Sequence, residues 1–274
     1  MKKTVLLFSL WMGILLGATS QENHDSLFSV NPVNQSTLLG VGKVFLNDSY
    51  LSPLRYSGIN ISLLHDRIEG TSCFDGRLLL QQQSLIQVAF TKNPTASASE
   101  YYGNLDYRIA GFYPLFAGSN LKFFAGGGGS ASLGGIYNVR NSNNPGSLKI
   151  SANLNVSAMA IYKWKFLTLR WQLSSPFAGL FFSPEYGHSY YEIFTLGNDK
   201  GTVHFGSFHN QQALRNYFSV DIPVHRVTIR AAYLGDYYNA HVNELSTRII
   251  SHQFMINFGG KMVRDNPSIP SVYY

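Results

Sequence analysis

The sequence predicts an all-β fold, a closed antiparallel up-and-down transmembrane β-barrel of about 12 strands. Three observations predict it. Runs of roughly ten residues alternate with turn-rich pieces, and no helical period of useful length competes with them. Apolar and polar residues alternate along these runs, as expected when the two faces of a strand meet different solvents. Charged residues make up 13% of the chain, about half the share of a typical soluble domain.

The chain begins with the pattern of an export signal. Lys2 and Lys3 precede an apolar core over residues 5–16, and Ala18 and Ser20 provide the small residues of a cleavage site. Export and a barrel together predict the outer membrane of a Gram-negative bacterium, with the barrel-assembly machinery as a partner during insertion. The predicted domains are a signal peptide at 1–20, a flexible lead-in at 21–36, the barrel at 37–260 and a periplasmic tail at 261–274.

The twelve predicted strands share a similar length and the same alternation. They lie at residues 37–46, 54–65, 78–91, 99–112, 119–136, 147–163, 166–175, 187–197, 201–210, 214–222, 225–236 and 247–258. In 147–163 the even positions are apolar and most odd positions are polar, and 247–258 repeats this pattern. We therefore predict that the apolar face meets lipid and the polar face lines the lumen.

Loop lengths assign the two ends of the predicted barrel, because such barrels have short periplasmic turns and longer outer loops. The predicted periplasmic turns are 113–120, 163–165, 198–201 and 223–224, with a long exception at 66–76. The predicted outer loops are 139–146, 175–186, 210–213 and 236–246. Free passage of solutes is not expected, because several lumen side chains would fill the interior: Lys122, Tyr162, Arg215, Asp221 and Arg230.

The composition excludes several kinds of binding site. Cys73 is the single cysteine, which excludes an intrachain disulfide and zinc sites built on paired cysteines, and the sequence predicts no metal or cofactor. Removal of Lys2 and Lys3 with the export signal lowers the formal charge from +6 to +4, and this modest positive charge suits contact with anionic lipid head groups. It is too diffuse to predict nucleic-acid binding, and no nucleic-acid motif is present.

One predicted hairpin carries a candidate catalytic group. Residues 198–201, Asn-Asp-Lys-Gly, have the composition of a tight turn. A two-residue loop there places Ser207 opposite Glu192, with His209 on the same face. A hydroxyl, an imidazole and a carboxylate together are what an ester-cleaving site needs: Ser207 as nucleophile, His209 as general base, and Glu192 to orient the imidazole.

The same face carries apolar residues nearer the turn, among them Phe194 and Val203, so it is predicted to look outward at lipid. We therefore predict an acyl-ester hydrolase acting on lipid A or phospholipid of the outer leaflet. The predicted substrate-binding residues are His188, Tyr190, Glu185, Asn210 and Arg140. His188 would replace His209 in another register, and Tyr190 also suits an interfacial aromatic belt.

Three other interpretations stay open. In the first, the polar strand residues are solvated or hydrogen-bonded without any catalytic role, as most such residues are. In the second, the barrel is a narrow pore or an envelope-structural protein. In the third, the outer loops at 138–147 and 175–185 bind a glycan or a partner.

Four segments resemble a known family. They are Arg140 to Pro145, PEYGHSYYE at 184–192, GNDKGTVHFGSFHNQQALR from Gly197, and TIRAAYLGD from Thr228. They resemble outer-membrane β-barrel proteins of Bacteroidetes long carried as a domain of unknown function. The resemblance covers roughly residues 37–260 and implies an outer-membrane barrel without settled chemistry.

A weaker, geometric likeness is to lipid A deacylases and the outer-membrane phospholipase. Those enzymes place a His and a Ser two residues apart on a lipid-facing strand. Here the order is reversed, as Ser207-Phe208-His209.

Overall fold

The computed structural model describes residues 33–185, 187–224 and 227–257. The predicted signal peptide, most of the lead-in and the tail lie outside these residues. The strands are β1 (Val33–Asp48), β2 (Tyr56–Gly70), β3 (Leu79–Lys92), β4 (Ser99–Ala117), β5 (Leu121–Asn138), β6 (Gly146–Trp164), β7 (Leu167–Phe182), β8 (Val203–Ser207), β9 (Gln211–Val224), β10 (Val227–Val242) and β11 (Leu245–Asn257). Two short helical segments are α1 (Cys73–Gly76) and α2 (Tyr190–Phe194). Within the described chain, no helix has the length and hydropathy needed to cross a membrane.

Ten of the strands close into an antiparallel ring. Each strand from β1 to β7 pairs with the next one in sequence, and β7 pairs with β9. Strands β9, β10 and β11 pair in order, and β11 pairs with β1, with Leu39 opposite Ile256. A closed ring leaves no unpaired sheet edge, which is the condition for crossing a bilayer with strands. The predicted barrel is confirmed, but its ring has ten strands rather than twelve.

The eleventh strand, β8, explains the difference. It pairs with residues 178–182 of β7, whereas β9 pairs with residues 168–174 of the same strand. Both pairings are antiparallel, so β8 and β9 run in the same direction and the turn at 208–210 does not reverse the chain. The predicted outer loop at 210–213 is therefore wrong. The predicted strand 187–197 is absent as well. The ring therefore has two strands fewer than predicted, and the number of strands is still even.

The alternation of faces is confirmed by exposure. On β1, Leu39 and Val41 are 56% and 59% exposed, whereas Leu38 and Gly40 beside them are buried. Even positions of β6 and β11 point outward, as predicted. This parity also corrects one prediction, because Tyr162 of β6 lies on the outward face and not in the lumen.

Aromatic residues mark the two edges of the outward apolar band. On β4, Tyr101 and Tyr113 are both exposed and lie on the same face. At about 3.3 Å per residue and a tilt near 40°, they are roughly 30 Å apart along the barrel axis, which matches a bilayer core flanked by aromatic girdles. The connections 118–120, 165–166 and 225–226 are short, so their end is the periplasmic one. The chain is an outer-membrane β-barrel of the Gram-negative type.

An ion pair spans the lumen at the periplasmic end. The Arg170 guanidinium on β7 donates a hydrogen bond to the Asp66 carboxylate on β2, and these strands are five places apart in either direction around the ring. The Arg230 guanidinium pairs with the same Asp66 carboxylate at 3.2 Å, and it also pairs with the Asp221 carboxylate at 2.6 Å. All four side chains are at least 94% buried, and their charges cancel.

Two further ionic layers follow toward the outer end. In the middle, Arg215 binds Asp106 at 2.8 Å and Asp236 at 2.7 Å. Near the outer end, Lys149 of β6 binds Asp48 of β1 at 2.8 Å, again between strands on opposite sides of the ring. Opposite walls of the barrel therefore meet through side chains at two depths.

Apolar clusters fill the space around these layers. One lies near the periplasmic end around Phe112 and Phe124, one at the middle around Leu64 and Leu234, and one near the outer end around Tyr56. The lumen is thus occupied by the protein's own side chains. Arg215, Asp221 and Arg230 lie there as predicted.

We predict that Asp66→Asn lowers the free energy of unfolding by about 3–5 kcal/mol. The amide has the shape of the carboxylate but no charge, so Asp221 alone would balance the buried guanidinium groups of Arg170 and Arg230. Urea unfolding followed by the mobility of unheated samples in detergent gels would measure this change. As a control, Arg67→Ala removes a partly exposed ion pair with Glu69 and should cost no more than about 1 kcal/mol. Equal effects of the two substitutions would contradict a stabilising role for the lumen network.

Candidate functional site at the outer rim

The long loop between β7 and β8 contains α2, where the sequence had predicted a strand. Ser189 and Glu192 form a capping box: the Ser189 hydroxyl accepts the Glu192 N–H at 3.2 Å, and the Glu192 carboxylate accepts the Ser189 N–H at 2.7 Å. These reciprocal bonds satisfy the first N–H groups of a helix. Gly187 and Gly197, with φ of +85° and +76°, interrupt extended backbone on both sides. The prediction of a strand at 187–197 is therefore wrong.

Aromatic contacts hold α2 against the outer mouth of the barrel. The Tyr190 ring lies 5.6 Å from that of Tyr50 and 6.1 Å from that of Phe182, measured between centroids. The Tyr190 hydroxyl accepts the N–H of Leu148 at 2.6 Å, and the Tyr50 hydroxyl donates to the His188 carbonyl at 2.8 Å. The helix is thus tied to the loop that follows β1 and to the start of β6.

Both tyrosines are protonated at neutral pH. Burial, reinforced by the nearby Tyr190, raises the pKa of Tyr50 to about 12, so its hydroxyl keeps the proton that it donates to His188. Burial also raises the pKa of Tyr190. Titration of either group therefore leaves these contacts unchanged across the physiological range.

A cleft of about 940 Å³ opens beside α2. One wall is the outward face of β3, β4 and β5, the lipid-facing side of the barrel. The other walls are the end of the loop after β5 and the exposed side of α2. Its main lining residues are Val88, Phe90, Tyr101, Gly103, Gly135, Tyr137, Asn143, Asn144, Pro145, Leu148, Tyr190, Tyr191 and Phe194. Most of this lining is apolar, and none of it is charged.

Two of the three predicted catalytic residues meet. Ser207 Oγ and His209 Nδ1 are 2.5 Å apart, and the Asn210 side chain accepts the Ser207 N–H at 3.0 Å, which shapes the turn. Val203 and Phe205, on the same face of β8 as Ser207, are 64% and 62% exposed. The predicted outward orientation of this face is thus confirmed.

Glu192 does not stand opposite Ser207. The residue across from Ser207 is Ala178 of β7, and Glu192 caps α2 within the preceding loop. The turn at 198–201 belongs to that same outer loop and is not periplasmic. The predicted register failed because the run 187–197 is not a strand, so there is no hairpin to pair with residues 201–210.

The predicted substrate-binding residues fall into three places. Glu185 and His188 lie in the loop before α2, with Nδ1 of His188 3.9 Å from Oε2 of Glu185, and both residues are partly exposed. Tyr190 is part of the cleft wall, and Asn210 belongs to the Ser207 turn. Arg140 lies in the loop after β5, where its guanidinium donates to Ser97 at 3.3 Å.

A second, smaller cavity of about 100 Å³ lies in the lumen between the middle and outer ionic layers. Its lining includes buried amides with one side-chain atom that has no protein partner, among them Nε2 of Gln87 and Oδ1 of Asn155. Such a space suits a few ordered waters. Sequence reasoning missed both cavities, because each is lined by residues from strands far apart in the chain.

Comparison with known proteins identifies the family and no activity. The chain belongs to the family described as "Protein of unknown function (DUF3316)", which matches residues 5–266. No curated protein matches the sequence.

Several solved barrels are similar in architecture. The translocator domain of the autotransporter NalP from Neisseria meningitidis is 10% identical with a TM-score of 0.35, covering 93% of this chain and 98% of that one. The transport unit of AIDA-I from Escherichia coli is 9% identical with a TM-score of 0.39, covering 92% and 97%. The β domain of Bordetella BrkA is 10% identical with a TM-score of 0.38, covering 82% and 99%. These values carry no argument about function, and the fold is established by the strand pairing itself.

The capping box gives α2 a pH dependence. Hydrogen bonds from the Ser189 backbone and hydroxyl lower the pKa of Glu192. A lowered pKa in the folded state stabilises the helix above the pKa of about 4.3 of a free glutamate, and this stabilisation is lost as the pH falls through the lowered value. We predict that a nitroxide at Thr195→Cys, in a Cys73→Ser background, becomes more mobile by electron paramagnetic resonance below about pH 4.

The control is Glu192→Gln, which keeps hydrogen-bonding capacity and removes the titration. Its label should show the same mobility at pH 7 and at low pH. An equal acid-induced change in both proteins would contradict the role of the carboxylate.

Proposed function

We propose that this barrel holds an acylated lipid of the outer leaflet against its outer rim, and that it does not conduct solutes through its lumen. The observation that carries the proposal is the cleft beside α2, whose largest wall is lipid-facing strand surface. That wall continues downward into exposed apolar residues of the same strands, including Ile86 and Leu133. Hydrocarbon is the medium around this band, so the cleft is open to acyl chains.

The chemistry of the cleft favours acyl chains over a charged ligand. Its lining has no charged side chain, and Phe90, Tyr101 and Phe194 provide broad apolar contact. Polar groups lie toward the outer end, at Asn143 and Asn144. This order matches a lipid whose chains lie along the barrel wall and whose head group reaches the loops.

The filled lumen supports the second part of the proposal. Arg170 with Asp66 and Lys149 with Asp48 connect opposite walls, and apolar clusters lie around them. A binding role at the outer surface therefore fits the barrel better than a pore.

We predict that Gly103→Phe weakens lipid retention about tenfold or more, because the ring fills space that otherwise buries at least two methylene groups at about 0.8 kcal/mol each. A Cβ at Gly103 meets no atom within 4 Å, so the substitution leaves the strand intact. Native mass spectrometry of the protein released from detergent micelles would count the bound lipids.

The matched control is Gly129→Phe, on the outward face of β5 below the cleft, where an added Cβ would lie 3.9 Å from its nearest neighbour. It should retain lipid as the wild type does. Equal retention by wild type and Gly103→Phe would contradict lipid binding in the cleft.

A second candidate function is acyl-ester hydrolysis, favoured by the hydrogen bond between Ser207 Oγ and His209 Nδ1. In this reaction His209 takes the hydroxyl proton while Ser207 attacks the ester carbonyl, the alcohol leaves with that proton, and water then releases the fatty acid from Ser207. The pair acts as a dyad, because the Glu192 carboxylate is bound to Ser189.

For this candidate we expect that Ser207→Ala and His209→Ala each give the lipid A acyl pattern of a deletion strain. Ser84→Ala, an outward serine on β3, is the control and should give the wild-type pattern. Mass spectrometry of lipid A reads the result. If the wild type, both variants and the deletion strain all give the same lipid A acyl pattern, the hydrolase is ruled out.

A further inference from the structure

Two cations share one aromatic ring on the outward face of the barrel. The Lys43 ammonium lies 5.1 Å from the centroid of the Phe45 ring, and the Arg55 guanidinium carbon lies 4.3 Å from it. Lys43 and Phe45 are on the outward face of β1, and Arg55 ends the loop before β2. The ring thus positions two long side chains that would otherwise move freely in solvent.

Two more cations extend this pair into a row. Arg248 of β11 lies opposite Asn47 of β1, and Lys92 of β3 lies opposite Ser57 of β2, which itself faces Phe45. Both are exposed. The cationic row, defined as Lys43, Arg55, Lys92 and Arg248, therefore crosses adjacent strands at the outer end of the barrel.

The row has no acidic counterpart. Among the described residues, none of its four members forms an ion pair, whereas the cations of the lumen layers do. The outward positions of these strands from Lys43 upward carry no carboxylate, and the nearby Asp48 is buried against Lys149. The row is therefore a positive surface available to an external anion.

Its height is that of lipid head groups. Directly below Lys43 the outward residues become apolar, with Val41 of β1 facing Ile61 of β2, and both are exposed. Charged side chains are costly below this boundary and are stable at it. Lys92 also lies two residues above Phe90 on one face of β3, and Phe90 lines the cleft. The row and the cleft are thus neighbours on β3.

We infer that the cationic row binds the phosphate groups of the lipid whose acyl chains enter the cleft. The inference rests on the proposed function in taking the same lipid, and it adds the head-group chemistry. The two guanidinium groups match phosphate with paired donors, and the two ammonium groups add point charges. Proximity to lipid lowers the screening that salt imposes on exposed charges.

The experiment measures binding of fluorescent bisphosphorylated lipid A, and of the same lipid after dephosphorylation, to the full barrel in detergent. The wild type should bind the phosphorylated lipid more tightly. The double variant Lys43→Gln/Arg55→Gln should bind it about 30-fold more weakly, from roughly 1 kcal/mol per cation, and should bind the dephosphorylated lipid as the wild type does.

The matched control is Arg77→Gln/Lys165→Gln, which removes one arginine and one lysine from exposed turns at the periplasmic end. It should behave as the wild type, and unheated gel mobility should show that both double variants are folded. Equal affinity of the wild type for the two lipids would overturn the inference, as would equal weakening by both double variants.

The outcomes separate this inference from the proposed function. In one outcome, the dephosphorylated lipid binds as tightly as the phosphorylated one, and Gly103→Phe weakens binding of both. The row is then not a head-group site, whereas the cleft is still a site for acyl chains. If neither lipid binds, both proposals fail. If inorganic phosphate alone binds the wild type as tightly as the phosphorylated lipid, and loses that affinity in Lys43→Gln/Arg55→Gln, the row is a free-anion site rather than a lipid site.

Discussion

The ion pair between Arg170 and Asp66 is the constraint on which the rest of the structure depends. It joins opposite sides of a ten-strand ring inside a space from which most water is excluded. Charges buried in this way are tolerated only when they are paired and hydrogen-bonded, so the network around them must be neutral and complete. Arg230 and Asp221 meet this requirement at the periplasmic end, and each of the two layers above also pairs a cation with a carboxylate.

Because the interior is filled, the proposed function lies on the outer surface. The lumen layers hold the strands together, while the wall and rim remain exposed to lipid and to the outer loops. There the capping box of Ser189 and Glu192 fixes α2. Tyr190 connects that helix to the loop after β1 through its ring and to the start of β6 through its hydroxyl. The cationic row continues from the cleft along the same rim. The surfaces proposed to bind the acyl chains and the head group are thus adjacent on β3.

The sequence was sufficient for the barrel, for the direction of its faces and for the outward position of Ser207, because alternation is a local property of a strand. It was insufficient for residues 187–197, where aromatic and β-branched residues indicate a strand, whereas the spacing of Ser189 and Glu192 is that of a helix capping box. It also missed that the turn at 208–210 continues the chain in one direction. Contacts across the lumen, such as Lys149 with Asp48, leave no local signal, since their partners are distant in sequence.

The claim that side chains close the lumen is tested most directly by single-channel recording of the purified barrel in a planar lipid bilayer. The account predicts a silent membrane for the wild type, with no unitary conductance steps at any applied voltage that the bilayer withstands. Regular, reproducible steps from the folded wild-type protein would show a continuous aqueous path and would contradict the account.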